Sequence, residues 1–400
     1  MALYKHRYSN DNLVKRKIKI VFDATPMVVN KTGVAYYIER LAVQLATQYP
    51  DEVKLVGFYY NFLGRRDASH LPRRANLSYT GASIIPSKIV FQLRRWGIEV
   101  PIEFLAMQKA DFILYGNFLS HPSLFHTPSA PVIHDLTYLD LPAYVSPKLR
   151  RDLERFVPKA IQRSRFVVTV SEFSKQRIMS HYRVPAEDIL VTLIPPVPPV
   201  RLSAERCRAI LKENGITKPY ILFVGTIEPR KNIIGLVEGY LQLPKKVRDE
   251  YQLVLAGRVE RFASAEEARL HDALNQGQNV THLGYISDEV KDALYQSAAM
   301  FAHASEYEGF GMPVLEAMSH GVPCALSDIP VFREVAGNSA VYFDYRKPEA
   351  IARAMQKILE SPGRHAELSK LAKQRAGSFS WQKVATDLYE TIRSSLHASS

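Results

Sequence analysis

The residues with the clearest chemical promise lie in SEYEGFGMPVLEAMSHGVPCALSD, residues 305 to 328. Glu308 and Glu316 stand around two glycines, a phenylalanine and a proline. A carboxylate only accepts hydrogen bonds, so it suits the paired hydroxyls of a sugar or a ribose. MFAHAS reads as a strand, EYEGFG as the turn that leaves it, and MPVLEAMSHG as a helix. Pro313 falls in the first turn, where a missing N–H is harmless, and Gly321 is placed to end the helix. Gly309 and Gly311 allow close backbone approach, and the amides around Phe310, Gly311 and Met312 at the helix start favour a diphosphate or sugar hydroxyls. Glu308 belongs to the loop and Glu316 lies one turn in, so both carboxylates can face one side. The plain alternative is a helix start whose acidic residues complement its dipole. That accounts for one glutamate, but not for the glycines and the proline together.

A second candidate is FVGTIEPRKNI, 223 to 233. A strand ends at Gly225, Thr226 turns the chain, and Arg230 and Lys231 come at the expected start of the next helix. Two cations there oppose the dipole, so an anion bound between them, such as a pyrophosphate, explains them better than a solvated surface pair. A third is His134 with Asp135 in VIHDLTYLD, at the end of an apolar strand. Taken alone, such a histidine is more often structural than functional. Asp135 either orients the ring or caps the following turn.

The elements that must position these residues alternate in type. KIKIVFD is a strand ending at Asp23, TGVAYYIERLAVQLATQYP a helix stopping before Pro50, and VKLVGFYY a strand again. ADFILYGN, APVIHDLTY and SRFVVTVSEFSKQRIMSHY continue the series. LIPPVPPV, 193 to 200, carries four prolines and reads as a stiff extended connector between domains. Strand and helix units then restart with PYILFVGT, YQLVLAG, VTHLGYISDEVKDALYQSA, PCALSD and SAVYFD. WQKVATDLYETIRSSLH is a closing amphipathic helix. The expectation is α/β: two doubly wound parallel sheets, over 1–195 and 196–380, with 381–400 packing back toward the first. Ligands of such sheets sit at the carboxyl ends of strands.

Composition narrows the class. With 400 residues, 46% hydrophobic and 23% charged, the chain is long enough for two globular cores. Cys207 and Cys324 are far apart and build neither a disulfide framework nor a metal cluster. No run reaches the roughly 18 apolar residues of a membrane span, and the polar start lacks a signal-peptide apolar region. The expected location is the cytoplasm. Of the formal charge of +12, residues 1 to 200 hold nearly all, with 27 Lys and Arg against 16 Asp and Glu. An anionic partner on that half is implied. KRKIK, Arg65-Arg66, Arg73-Arg74, KIVFQLRRWGIEV and Lys148, Arg150, Arg151 are the candidates. The mix of apolar and cationic residues around Arg94, Arg95 and Trp96 resembles an interfacial helix and points to an anionic membrane. A solvated face is the alternative. Nucleic acid is not expected, because no such motif appears and the aromatics form no stacking platform.

Together, the glutamate stretch, GTIEPRKN, NKTGVAYYIERL, SEFSKQRI and FSWQKVA resemble, in order and in type, the retaining GT-B glycosyltransferases of family 4. The resemblance covers nearly the whole chain. It implies the GT-B fold, two Rossmann-like domains facing across a cleft. It also implies transfer of a hexose from a nucleotide-diphosphate sugar to a hydroxyl of a glycan or lipid-linked glycan; no Asp-x-Asp stands out at a strand end, so neither a metal nor a cofactor is expected. Carried over by residue, Glu308 holds donor-sugar hydroxyls and Glu316 the ribose, while Gly309, Phe310, Gly311, Met312 and Pro313 line the sugar. Arg230 and Lys231, after Gly225 and Thr226, neutralise the diphosphate, with Gly33 approaching from the other domain. Gly257 and the backbone near Tyr285 and Ile286 receive the base, and His134 lies beside the reacting carbon. The family often has two glycines in the N-terminal loop, where Lys31-Thr32-Gly33 has one. HDLTYLDLP with the other motifs looks most like mannosyltransferases of bacterial surface-polysaccharide assembly, which makes GDP-mannose the first choice of donor, with UDP-sugars and dTDP-rhamnose as the alternatives. A nucleotide-sugar 2-epimerase and a non-catalytic sugar-nucleotide-binding protein are the rival readings. A peripheral position on the inner face of the cytoplasmic membrane would suit the basic half.

Overall fold

The computed structural model describes residues 16–29, 32–82, 85–260, 264–276 and 279–397. It divides into two compact units, one running to Ile194 and taking in the chain from Ser380, the other spanning Pro195–Phe379. Asn30 and Lys31 of the N-terminal glycine loop, Lys15 of KRKIK and the last residues of the tail lie outside the described residues.

In the first unit, β1 (Ile18–Asp23), β2 (Val53–Tyr60), β3 (Leu77–Ala82), β4 (Phe112–Tyr115), β5 (Ser129–Ile133), β6 (Val167–Thr169) and β7 (Ile189–Val191) form a sheet in the order β3-β2-β1-β4-β5-β6-β7. All pairings are parallel. The inner strands are apolar on both faces because helices cover both sides; every residue of β4 and β5 is buried. The helix Gly33–Gln48 buries Tyr37, Ile38, Leu41 and Leu45 at helical spacing. Against it lies the helix Trp381–His397, with Tyr389 stacked on Tyr49 at 4.0 Å between ring centroids and Gln48 donating to Thr386 Oγ1 at 2.6 Å.

The second unit repeats the plan with β8 (Tyr220–Val224), β9 (Gln252–Ala256), β10 (Val280–His282), β11 (Met300–His303), β12 (Cys324–Ser327) and β13 (Ala340–Phe343), in the order β10-β9-β8-β11-β12-β13, all parallel. Its core runs from Ile221 and Phe223 through Leu236, Tyr240 and Leu255 to Met355 and Ile358. In both sheets the winding direction reverses beside the first strand, at β1/β4 and at β8/β11. That reversal leaves a crevice at the carboxyl ends where a ligand can enter. Among the described residues, no helix is long and apolar enough to cross a membrane.

Candidate active site

The second unit's crevice collects most of the residues singled out from sequence. β8 ends at Val224 and runs through Gly225 and Thr226 into a short 3-10 turn, Pro229–Lys231. β11 ends at His303 and leads into Ser305–Gly311. Glu308 joins the two segments. Its carboxylate accepts from Arg230 Nη1 at 2.9 Å and from Ser305 Oγ at 2.9 Å, makes a close ion pair with Lys231 Nζ, and lies 3.3 Å from His303 Nε2. Arg230 also donates to the Tyr307 carbonyl at 2.8 Å and pairs with Glu228 at 2.7 Å.

Glu308 and Lys231 are both buried. Burial alone would push the Glu308 carboxyl up, but Lys231 and Arg230 hold it well below the usual carboxylate range. Burial pulls the Lys231 ammonium down, and Glu308 opposes that pull. Burial lowers His303 to about 4, so its ring is neutral and can donate from Nε2. The cluster is a fixed set of charges in a poorly solvated place, where each acts far more strongly than in water.

The sequence placed Arg230 and Lys231 at a helix start, and the structure corrects this. Asn232, at a left-handed φ of 50°, intervenes and caps the helix Ile233–Leu241 by accepting from the Gly235 amide. The two cations therefore precede the helix, in a turn aimed at Glu308, and do not load its dipole.

Gly311, at φ 96°, is the N-cap of the helix Met312–His320, with Pro313 in the first turn and Gly321 closing the other end. A Cβ on Gly311 would fall 2.8 Å from the Phe332 ring, so only glycine fits. No side chain caps this helix start. Gly309 and Phe310 are buried beside it, Phe310 edge-on to Phe379. Glu316 is held apart from Glu308 by a different set of partners, the Tyr295 hydroxyl at 3.1 Å and Lys291 Nζ at 3.5 Å. Burial raises its carboxyl despite Lys291.

Gly257, just after β9, has φ 155°, and a Cβ there would lie 1.8 Å from the Gly225 carbonyl oxygen. The loops leaving β8 and β9 are thus pressed together, backbone to backbone. Gly257 donates to the Gly284 carbonyl at 2.8 Å, which brings the loop after β10 alongside. That loop presents Tyr285, 70% exposed, under the Arg258 guanidinium, with Ile286 half-buried next to it.

His134 and Gly33 belong to the first unit. Gly33 is the exposed first residue of the helix Gly33–Gln48, and the preceding Thr32 makes no side-chain cap bond. His134 follows β5 and bonds the Gly116 carbonyl through Nε2 at 2.9 Å, with Tyr37 and Phe118 edge-on to its ring. Burial lowers it, so it is neutral. Asp135 accepts from the Thr137 amide at 3.0 Å: it caps the turn. Sequence reasoning missed His303, Ser305, Lys291 and Tyr295. Only His303 gave a signal, as the polar end of the strand MFAH.

Residues 208–375, most of the second unit, match the family described as Glycosyl transferases group 1. The chain is 29% identical to O-antigen chain mannosyltransferase B of Escherichia coli over 383 residues, 92% of this chain and 98% of that one. Among solved structures it superposes on sucrose-phosphate synthase from Thermosynechococcus elongatus with a TM-score of 0.70 at 20% identity, covering 96% of this chain and 100% of that one. WaaG, a glycosyltransferase involved in lipopolysaccharide biosynthesis, gives 0.69 at 15% identity, covering 94% and 99%. The fold is of the GT-B type, and the match over residues 208–375 with the likeness to the mannosyltransferase makes the chain a glycosyltransferase.

Proposed function

We propose that the protein is a retaining mannosyltransferase that moves mannose from GDP-mannose to a hydroxyl of a glycan or lipid-linked glycan in the cytoplasm. The observation that carries this reading is the cluster of Arg230, Lys231 and Glu308 at the β8/β11 crevice. The diphosphate lies against Arg230 and Lys231, which offset the charge that develops as the sugar leaves. Glu308 takes a sugar hydroxyl on its Oε2 side, where Arg230 is the donor, and the amides from Phe310 to Met312 line the same sugar. Glu316 takes the ribose, and the floor of Gly257, Tyr285 and Ile286 the base. The two side-chain cations do the electrostatic work, and the reading requires no metal. Of the first unit's residues, neutral His134 is assigned to the reacting carbon and Gly33 to the diphosphate. Mannose as the sugar is supported by the name of the Escherichia coli relative, which also resembles this chain along nearly its whole length.

Calorimetric titration with GDP, UDP and dTDP, chelator present, tests the donor site. GDP alone is expected to bind in the micromolar range, and release of GDP from GDP-mannose is expected to require an added glycan. Binding of UDP in preference to GDP would sink the mannose donor. Conversion of the sugar without acceptor would favour an epimerase.

A further inference from the structure

We infer that Lys291, with Tyr295, is a positioning residue for the nucleotide's ribose: the pair holds the Glu316 carboxylate charged and oriented to accept from two neighbouring hydroxyls. The inference rests on the reading of Glu316 as the ribose contact. Both residues belong to the helix Asp288–Ser297, which follows the loop carrying Tyr285 and Ile286. They stand four residues apart and so share one face of that helix. The face meets Glu316, one turn into the helix Met312–His320, and the two residues take different oxygens. The Tyr295 hydroxyl donates to Oε2 at 3.1 Å, while Lys291 Nζ pairs with Oε1 at 3.5 Å.

Tyr295 is an anchored donor. It is buried, with its ring against Phe301 and His320, and its hydroxyl also lies 3.3 Å from the Pro313 carbonyl. The carboxylate is thereby tied to the first turn of its own helix. A carboxylate offers about four lone-pair sites, so one contact per oxygen leaves each oxygen able to accept once more. The Glu316 side chain is 15% exposed, so it is not sealed from a ligand. Two acceptors side by side match a vicinal diol.

The tyrosine alone does not suffice, because burial favours the protonated carboxyl. A protonated carboxyl turns one of its oxygens into a donor and loses an acceptor there. Lys291 opposes that loss. Asp288, 3.4 Å from the same Nζ, pushes the other way, so one ammonium serves two carboxylates. The helix's other acids are turned elsewhere, Glu289 to Arg206 at 2.8 Å and Asp292 to His320 at 3.5 Å. The plain alternative is an ordinary surface pair between Lys291 and Asp288, three residues apart and of little worth. It leaves the reach of Lys291 to a carboxylate on a second helix unexplained.

The test is calorimetric titration of the full chain with GDP and with 2′,3′-dideoxy-GDP, which lacks both hydroxyls. Wild type is expected to prefer GDP by about 10- to 100-fold. Lys291→Met should cut that preference to about threefold or less, with affinity for dideoxy-GDP held within a factor of about two. Lys291→Arg keeps the charge and should retain most of the preference, and Tyr295→Phe should lower it about threefold. On a Glu316→Ala background, Lys291→Met should change nothing further. A Lys291→Met protein with the wild-type preference would overturn the proposal. So would an equal loss of both affinities, the mark of a merely structural lysine. A loss that persists on the Glu316→Ala background would also overturn it, by putting Lys291 on the nucleotide itself. Failure of the underlying reading looks different and shows in wild type alone. Equal binding of both ligands would take Glu316 off the ribose, and binding of neither would defeat the donor site, each removing this proposal as well.

Discussion

The two strand-end crevices are made on one plan and filled in opposite ways. At the end of β5 the chemistry-bearing side chain is neutral. Burial discharges His134, a backbone carbonyl orients it, and the neighbouring Asp135 is occupied with a turn. At the ends of β8 and β11, Lys231 and Glu308 are buried together with a neutral histidine, and half-buried Arg230 joins them. The folding cost of the second arrangement is real, since buried ions are stable only while every partner is present. A protein that keeps such a cluster at a ligand crevice has charges set before the ligand arrives. In the proposed reading the contrast follows the substrates: the charged crevice takes a diphosphate that gains negative charge as it leaves, and the neutral one is matched to an uncharged hydroxyl.

The strongest way to break this comparison is to discharge the second crevice. Lys231→Ala leaves Glu308 with a single cation, and breaking a buried pair should remove about 3–5 kcal/mol of stability. Loss of one charge-assisted contact to the diphosphate should weaken GDP binding by about 10- to 100-fold. Unchanged affinity by calorimetry would remove Lys231 from the diphosphate site.

A smaller effect separates the neutral member from the charged ones. His303 is lowered from an ordinary 6.5 to about 4, so the unfolded chain binds its proton first as pH falls. The stability that neutral His303 contributes is complete above 6.5 and is lost as pH drops toward 4. His303→Gln should therefore narrow the gap in unfolding free energy between pH 7 and pH 5 by about 2 kcal/mol relative to wild type. Parallel pH profiles in denaturant titration would show that His303 is not the group that titrates.

The smallest effect tests the first crevice. Asp135→Ala removes a cap and should cost about 1 kcal/mol of stability, with transfer activity within a factor of about two. A large loss of turnover at unchanged GDP affinity would mean that Asp135 acts through His134 after all.

How much of this was readable from sequence depends on how local each feature is. β8, β9 and β11 were plain because each is an unbroken apolar run ended by glycine or a polar residue. β3 was not: LSYTGA buries only its first and last residues and offers no pattern to count. The glutamates, glycines and proline of 305 to 321 predicted their own strand, turn and helix, because caps and helix starts are written in adjacent residues. Lys231 as partner of Glu308 could not be read, since 77 residues separate them and only the pairing of β8 with β11 brings them together. Adjacent Arg94 and Arg95 look alike in the string. Which of them turns inward is decided by where Ser120 lies.

The returning helix Trp381–His397 has a consequence for synthesis. Gln48 and its neighbour Tyr49 wait for Thr386 and Tyr389, Thr386 being made 338 residues after Gln48. The first unit is completed only after the whole second sheet has been translated. Until then the growing chain carries an unclosed apolar surface on the Gly33–Gln48 helix. A premature stop near residue 379 would thus leave the second unit entire and the first open, a lesion felt in the unit encoded farther from the missing codons.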